Sequence, residues 1–190
     1  MSRGTDTKRA HGFPDGVEPT IFAMLIEIPA AHTPDRDLIQ GLTALSSEDR
    51  RWKRCNIKST ALLGNVLHFQ QALGAGYQEI VLFNPEGEVT EGSASNVFIV
   101  KDGVVITPQL DKQKLPGITR QLVIDILRDH SSIPVVERAI SMEELRNADE
   151  LWFSNSAFEV KPFISLDGRL IGDGKPGLIW DRMAKLYQTH

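Results

Sequence analysis

Cysteine is almost absent from this 190-residue sequence: Cys55 stands alone, so no disulfide can join two parts of the chain, and a fold stapled for an oxidising compartment is excluded. Long apolar runs are missing too. None approaches the roughly 20 residues that a helix needs to cross a bilayer, and no membrane span is expected. The opening MSRGTDTKRA has no apolar stretch of the signal-peptide kind, and we read the chain as cytoplasmic. Concentrated positive charge is scarce as well. The net charge is −4, and Arg50, Arg51, Lys53 and Arg54 form one short cluster without a wider basic face. Nucleic acid is therefore not an expected partner, whereas a small anionic ligand is compatible. What remains, 41% hydrophobic and 24% charged residues, suits a well-filled globular core.

The pattern along the chain is mixed. PTIFAMLIEIP, Pro19 to Pro29, is bounded by proline and rich in sheet formers, which predicts a strand. AAHTPDRD, ending at Asp37, is small, polar and proline-containing, as a linker is, so the residues before it read as the tail of something larger and the main domain is expected to start near Gly41. TALLGNVLHFQQALGAG places Leu63, Val66, Leu67, Gln70 and Leu73 at helical spacing, with Ser59 as a candidate N-cap and Gly74 or Gly76 as the stop. EIVLF, SNVFIV and VVITP, separated by turns at Asn84 to Gly87 and at Lys101 to Gly103, read as an antiparallel meander. A helix is expected over Gly117 to His130, followed by a strand in IPVVERAIS, a short helix in MEELRNA, a strand in ELWFSNS, a hairpin around Asp167-Gly168 and a terminal helix in PGLIWDRMAKLYQTH. Without strict βαβ repetition, this order predicts the α+β class, with strands inside and helices outside.

Four short segments carry chemistry. In RRWKRCNIKST, Lys58 lies between an apolar residue and two hydroxyl residues, directly before a helical pattern. An amine near a helix start or another cation loses its proton more readily, as a nucleophilic lysine requires. In VTEGSASNVF, Glu91 precedes Gly92 and the hydroxyls of Ser93 and Ser95, a setting that suits a carboxylate aimed at a ligand cation. LPGITRQLV puts Gly117, Ile118 and Thr119 at a helix start, where free N–H groups and a hydroxyl suit a phosphate. FSNSAF adds hydroxyls after a strand. Taken singly, the first three read first as ordinary features, a solvated lysine, a turn with a surface acid and a plain helix start, and the last equally as a polar loop. Together they are the amine, ring-nitrogen anion and phosphate cradle that pyridoxal phosphate needs.

In order and spacing, RWKRCNIKSTALLGNVL, EVTEGSASNVF and LPGITRQLV resemble the lysine, glutamate and phosphate motifs of the fold-type IV pyridoxal-phosphate enzymes, and within them the D-amino acid (D-alanine) aminotransferases. The resemblance runs through nearly the whole chain. It implies that Lys58 is the Schiff-base lysine and the proton shuttle at the substrate Cα, and that Glu91 faces the pyridine nitrogen of pyridoxal 5′-phosphate. It also implies that Leu115 packs on the ring, and that Ile118 by its N–H, Thr119 by its N–H and hydroxyl and Ser156 by its hydroxyl hold the phosphate. RGTDTKRAHGFP resembles the segment whose Arg-x-His pair receives the substrate carboxylate, here Arg9 and His11, as bidentate guanidinium chemistry suits. The activity implied is transamination between a D-amino acid such as D-alanine and a 2-oxo acid such as 2-oxoglutarate, in a homodimer.

By the same resemblance, residues 1–33 are a remnant of a small N-terminal domain, 34–40 a linker and 41–190 the large cofactor-binding domain. The family's phosphate-binding arginine and an active-site tyrosine then lie outside this sequence, which leads us to expect weak cofactor binding and poor turnover. Ala157 and Phe158 stand where the family often has hydroxyls. Branched-chain aminotransferases and aminodeoxychorismate lyases share the lysine and glutamate logic, and a non-catalytic remnant of the fold is the alternative from another class. Arg9-x-His11 points to the D-amino acid branch.

Overall fold

The computed structural model describes residues 2–27 and 33–190. They belong to two compact units, Met1–His32 and Thr33–His190. In the first, Ser2 and Thr20 form one antiparallel bridge, in which the Ser2 N–H donates to the Thr20 carbonyl at 2.8 Å. The strand predicted from Pro19 does not form over residues 19–27, and Ile28 and Pro29 lie outside the described residues. Phe22, Leu25 and Ile26 are exposed instead. Sheet-prone side chains make a strand only where a neighbour takes up the backbone N–H and C=O groups, and over residues 21–27 no ladder partner is present among the described residues.

The second unit is built on a curled nine-stranded sheet. In chain order its elements are β1 (Leu42–Glu48), α1 (Leu63–Gly74), β2 (Glu79–Phe83), β3 (Val89–Gly92), β4 (Asn96–Lys101), β5 (Val104–Thr107), α2 (Ile118–His130), β6 (Val135–Glu137), α3 (Met142–Arg146), β7 (Glu150–Asn155), β8 (Glu159–Leu166), β9 (Arg169–Leu170) and α4 (Leu178–Tyr187). The strands lie in the order β3-β2-β1-β8-β7-β4-β5-β6, with β9 paired to β8. β1 runs parallel to β2 and to β8, and β5 parallel to β6. Parallel neighbours need a crossover, so α1 bridges β1 to β2 and α2 bridges β5 to β6.

The sequence reading held the strand–helix–strand order of the second of these βαβ units but neither parallel pairing, and it lacked β1. The meander is corrected with them. β2 turns back into β3 and β4 into β5, both antiparallel, but the other neighbour of β4 is β7, and β2 and β4 are not adjacent. Pleat alternation divides the strands between cores. Val97, Ile99, Leu151 and Phe153 face one cluster, while Phe98, Val100 and Trp152 face Val123, Leu127, Trp180 and Met183 of α2 and α4.

The apolar period does mark α1 as a helix, but the buried residues are His68 and Ala72, the latter against Ile80 and Leu82 of β2. Leu63, Val66, Leu67 and Leu73 are exposed. Ser59 is not the cap. The helix begins after Leu62, and the Ser59 hydroxyl accepts from the Ala61 N–H at 3.3 Å. Residues 34–40 hold to the second unit, with the Arg36 N–H donating to Asp181 Oδ1 at 3.2 Å and Ile39 packed against the α2–α4 cluster. No helix of the described residues is long and apolar enough to cross a membrane.

Candidate functional site

Glu91 lies in β3, and its carboxylate is taken by two donors. Oε1 accepts from Arg51 Nη1 at 2.5 Å and Oε2 from the Leu115 N–H at 2.8 Å. Arg51 in turn grips Asp49, just past β1, with Nε to Oδ1 at 2.9 Å and Nη2 to Oδ2 at 2.7 Å. The Thr90 hydroxyl donates to the same Asp49 Oδ2 at 2.9 Å. The stem of Arg51 passes over Gly64 of α1, where a Cβ would stand 3.1 Å from Cγ. The three side chains are 10% (Asp49), 3% (Arg51) and 6% (Glu91) exposed.

A buried carboxylate–guanidinium–carboxylate row carries one negative charge more than it neutralises. Its titration reflects that tension. Burial pushes Glu91 above the usual glutamate range, and the Arg51 charge with the Leu115 N–H offsets only part of this. Burial also pushes Asp49 up, but the hydrogen bonds and charge of Arg51 more than offset it and hold the group below the aspartate range. Burial works against the Arg51 cation, yet the Asp49 hydrogen bond and the charges of Glu91 and Asp49 stabilise it beyond an ordinary guanidinium.

Lys58 sits in the loop between β1 and α1, exposed, its amine without a partner among the described residues. That loop is pinned on both sides of Lys58 to the β3–β4 corner, by Arg51 on Glu91 and by Asn65 Nδ2 on the Ser93 carbonyl at 2.6 Å. Burial lowers the His68 pKa, and the neutral ring accepts the Arg50 N–H on Nε2 at 3.2 Å, which closes the loop from behind. The buried Glu79 carboxylate holds the corner itself, taking the Ser93 N–H at 3.2 Å and the Ser95 hydroxyl at 3.0 Å.

The start of α2 adjoins this corner. Leu115 links Glu91, through its N–H, to Asn96, whose Nδ2 donates to the Leu115 carbonyl at 2.9 Å. Gly117 then opens the helix with no side-chain cap, so the first-turn N–H groups of Ile118 and Thr119 are left to a ligand or solvent. A Cβ at Gly117 would stand 2.1 Å from Asn96 Oδ1. Gly117→Ala is therefore expected to displace Asn96 and lower stability by about 2 kcal/mol, measurable by denaturant unfolding. Thr119 is buried, and burial and then the Glu159 charge push up the pKa of Tyr187 in α4. Ser154, opposite Asn96 across the β4–β7 ladder, is buried with its hydroxyl unpartnered. Ser156 lies exposed in the β7–β8 turn, which Asn155 ties to the Ala94 carbonyl at 3.4 Å.

Glu91, Leu115 and the Ile118–Thr119 helix start are thus joined by hydrogen bonds into one locus, with the Lys58 loop bound to it. Arg9 and His11 lie in the first unit, exposed. Sequence reasoning missed Asp49, Arg51, Asn65 and Asn96. The signal for Arg51 was present within RRWKRCNIKST, but nothing in the string separates it from the exposed Arg50, Lys53 and Arg54.

The locus thus presents an uncapped helix start, a loop carrying an exposed amine and a buried row with one negative charge more than Arg51 neutralises. The chain matches the family model for amino-transferase class IV over residues 1–166, and it belongs to that family. It is similar to the D-alanine aminotransferases of Listeria monocytogenes serotype 1/2a (strain 10403S), 40% identical over 190 residues and 99% of this chain, and of Staphylococcus haemolyticus, 41% identical over 183 residues and 96% of this chain. It spans 63% of the length of each of these curated relatives. Among solved structures it resembles the PLP form of the branched-chain aminotransferase from Thermobaculum terrenum, with a TM-score of 0.75 and 31% identity over 80% of this chain and 51% of that one. The fold is accordingly that of fold-type IV.

Proposed function

We propose that this chain holds pyridoxal 5′-phosphate and serves transamination between a D-amino acid such as D-alanine and a 2-oxo acid such as 2-oxoglutarate. The buried Asp49–Arg51–Glu91 row carries the reading: it lacks one positive charge, and a protonated pyridine nitrogen supplies one. The uncapped start of α2 and the unpartnered hydroxyl of Ser154 fit the same ligand. When bound, the cofactor provides an electron sink for the pair left as the substrate Cα loses its proton. The protein's part is positional and protonic. Lys58 is the residue that would hold the cofactor through its amine and would move the proton at the substrate Cα. Glu91 would keep a proton on the ring nitrogen, Leu115 would pack against the ring, and Ile118, Thr119 and Ser156 would hold the phosphate. Arg9 and His11 receive the substrate carboxylate.

Identity near 40% to D-alanine aminotransferases supports the D-amino acid branch, and the likeness to branched-chain aminotransferases keeps L-leucine as the second substrate to assay. Addition of pyridoxal 5′-phosphate to the full chain is expected to give the yellow absorbance of the lysine-bound cofactor, and Lys58→Ala to abolish it. If Lys58→Ala leaves that absorbance intact, the assignment of the lysine is wrong. Transfer from D-alanine but not L-leucine to 2-oxoglutarate is the matching expectation for substrate. We place the protein in the cytoplasm, consistent with its single cysteine. We also propose a homodimer, on the exposed apolar face of α1 formed by Leu63, Val66 and Leu67. Light scattering at micromolar concentration should report twice the chain mass, and a clean monomer would refute the dimer.

A further inference from the structure

We infer that Arg51 is a positioning residue that decides where the proton between Glu91 and the cofactor's ring nitrogen resides. The inference rests on the cofactor reading above and deepens it. Glu91 is almost fully buried, and a carboxylic acid taken out of water favours its neutral form. A neutral Glu91 would keep the shared proton on its own oxygen and offer it as a hydrogen bond to an unprotonated ring nitrogen. Arg51 prevents this. Its Nη1 lies 2.5 Å from Glu91 Oε1, so the guanidinium, held on its other edge by Asp49, faces the carboxylate at close range in a site from which water is largely excluded, where a charge has most effect. With the guanidinium in place, the carboxylate is the favoured state of Glu91 and the proton belongs on nitrogen.

The rest of the geometry fixes Arg51 for that task. Asp49 holds the other edge of the fork through Nε and Nη2, Nη2 also reaches the Gln113 carbonyl at 3.4 Å, and Gly64 leaves room for the stem. Asp49 keeps the row from becoming neutral: with Asp49 and Glu91 ionised around one guanidinium, a single positive charge remains to be supplied, and the ring N–H supplies it. The Leu115 N–H on Oε2 fixes the orientation of the carboxylate against the start of α2. Other cations of the segment do not share the role, since Arg50, Lys53 and Arg54 are exposed.

The test is the ¹⁵N chemical shift of pyridoxal 5′-phosphate labelled at the ring nitrogen and bound to the full chain, a readout independent of turnover. The native chain and Arg51→Lys, which keeps the charge, are expected to show the pyridinium position; Arg51→Gln, which keeps hydrogen-bonding capacity without charge, is expected to move the signal to that of neutral pyridine. A pyridinium signal in Arg51→Gln, or a neutral one in Arg51→Lys, overturns the proposal. Should Arg51→Gln fail to fold by circular dichroism, the Glu91 carboxyl ¹³C shift in the cofactor-free native chain decides the matter: ionised at neutral pH supports it, protonated overturns it. If the native chain takes up no cofactor, the functional reading fails, while the carboxyl measurement still reports whether Arg51 holds Glu91 ionised.

Discussion

Glu150→Ala is expected to cost the second unit about 4 kcal/mol, since a buried donor left unpaired costs roughly 1–3 kcal/mol and the deleted side chain leaves a cavity besides. Three donors depend on this carboxylate: Trp152 Nε1 at 2.9 Å and the Trp180 N–H at 2.8 Å on Oε2, and the Ile179 N–H at 2.9 Å on Oε1. Two of them are first-turn groups of α4, whose N-cap, Gly177, has no side chain to satisfy them. The third belongs to the fully buried Trp152. One side chain therefore joins β7 to α4 and satisfies the indole of one of the two fully buried tryptophans of the core. For a domain of this size the loss corresponds to a fall in melting temperature of roughly 10 °C, measurable by calorimetry. Glu150→Gln should cost less, about 2 kcal/mol, because its single oxygen leaves an NH₂ group facing a donor. An alanine variant that melts within about 2 °C of the native chain would show that α4 is held by packing alone.

The elements that could be read in the sequence are those whose own residues decide their structure. EIVLF is β2 to the residue, and the helix expected over Gly117 to His130 is α2 less its cap, because buried β-branched runs and a helical apolar stripe are local signals. β1, LTALSSE, has no such signal. Its serines serve contacts that arrive from far along the chain: Ser46 donates its N–H and its hydroxyl to the two carboxylate oxygens of Asp167, each at 2.7 Å. Tertiary pairing, not propensity, makes it a strand. With β1 unseen, the parallel crossover through α1 could not be seen either.

The two halves of the site were unequally legible for the same reason. Glu91 and the α2 start stood out because small residues surround them, a pattern that survives in one dimension. What holds Glu91 does not: Arg51 is 40 positions away and Leu115 is 24. The stripe on α1 shows the reverse error. Its leucines mark a helix, but which face packs was decided by β2, and the side turned to the sheet is the less apolar one.

Glu91→Gln is expected to separate function from stability. With cofactor bound, an amide cannot hold a proton on the ring nitrogen by charge, and loss of a preorganised electrostatic partner of this kind lowers turnover by about a thousandfold. Without cofactor, the variant should be at least as stable as the native chain at neutral pH, because the buried row loses its unmatched negative charge and its desolvation cost. The pH dependence tests the cause. Glu91 titrates above its ordinary value in the folded chain, so the folded form binds that proton more tightly than the unfolded one; the stability this brings is complete below the ordinary glutamate range and is lost as pH rises through the folded value. Asp49 runs the other way: it titrates low, and its contribution, present above the ordinary aspartate range, is lost as pH falls through the folded value. Glu91→Gln removes the first dependence and leaves the second. Melting temperatures of the two cofactor-free chains should therefore diverge in favour of the variant as pH rises from the acid side to neutrality. A variant that melts lower than the native chain at neutral pH would make Glu91 a brace of the fold. The expected result makes it a strained group kept for its ligand, with part of the stability of the unit given up to hold a carboxylate where the ring nitrogen needs it.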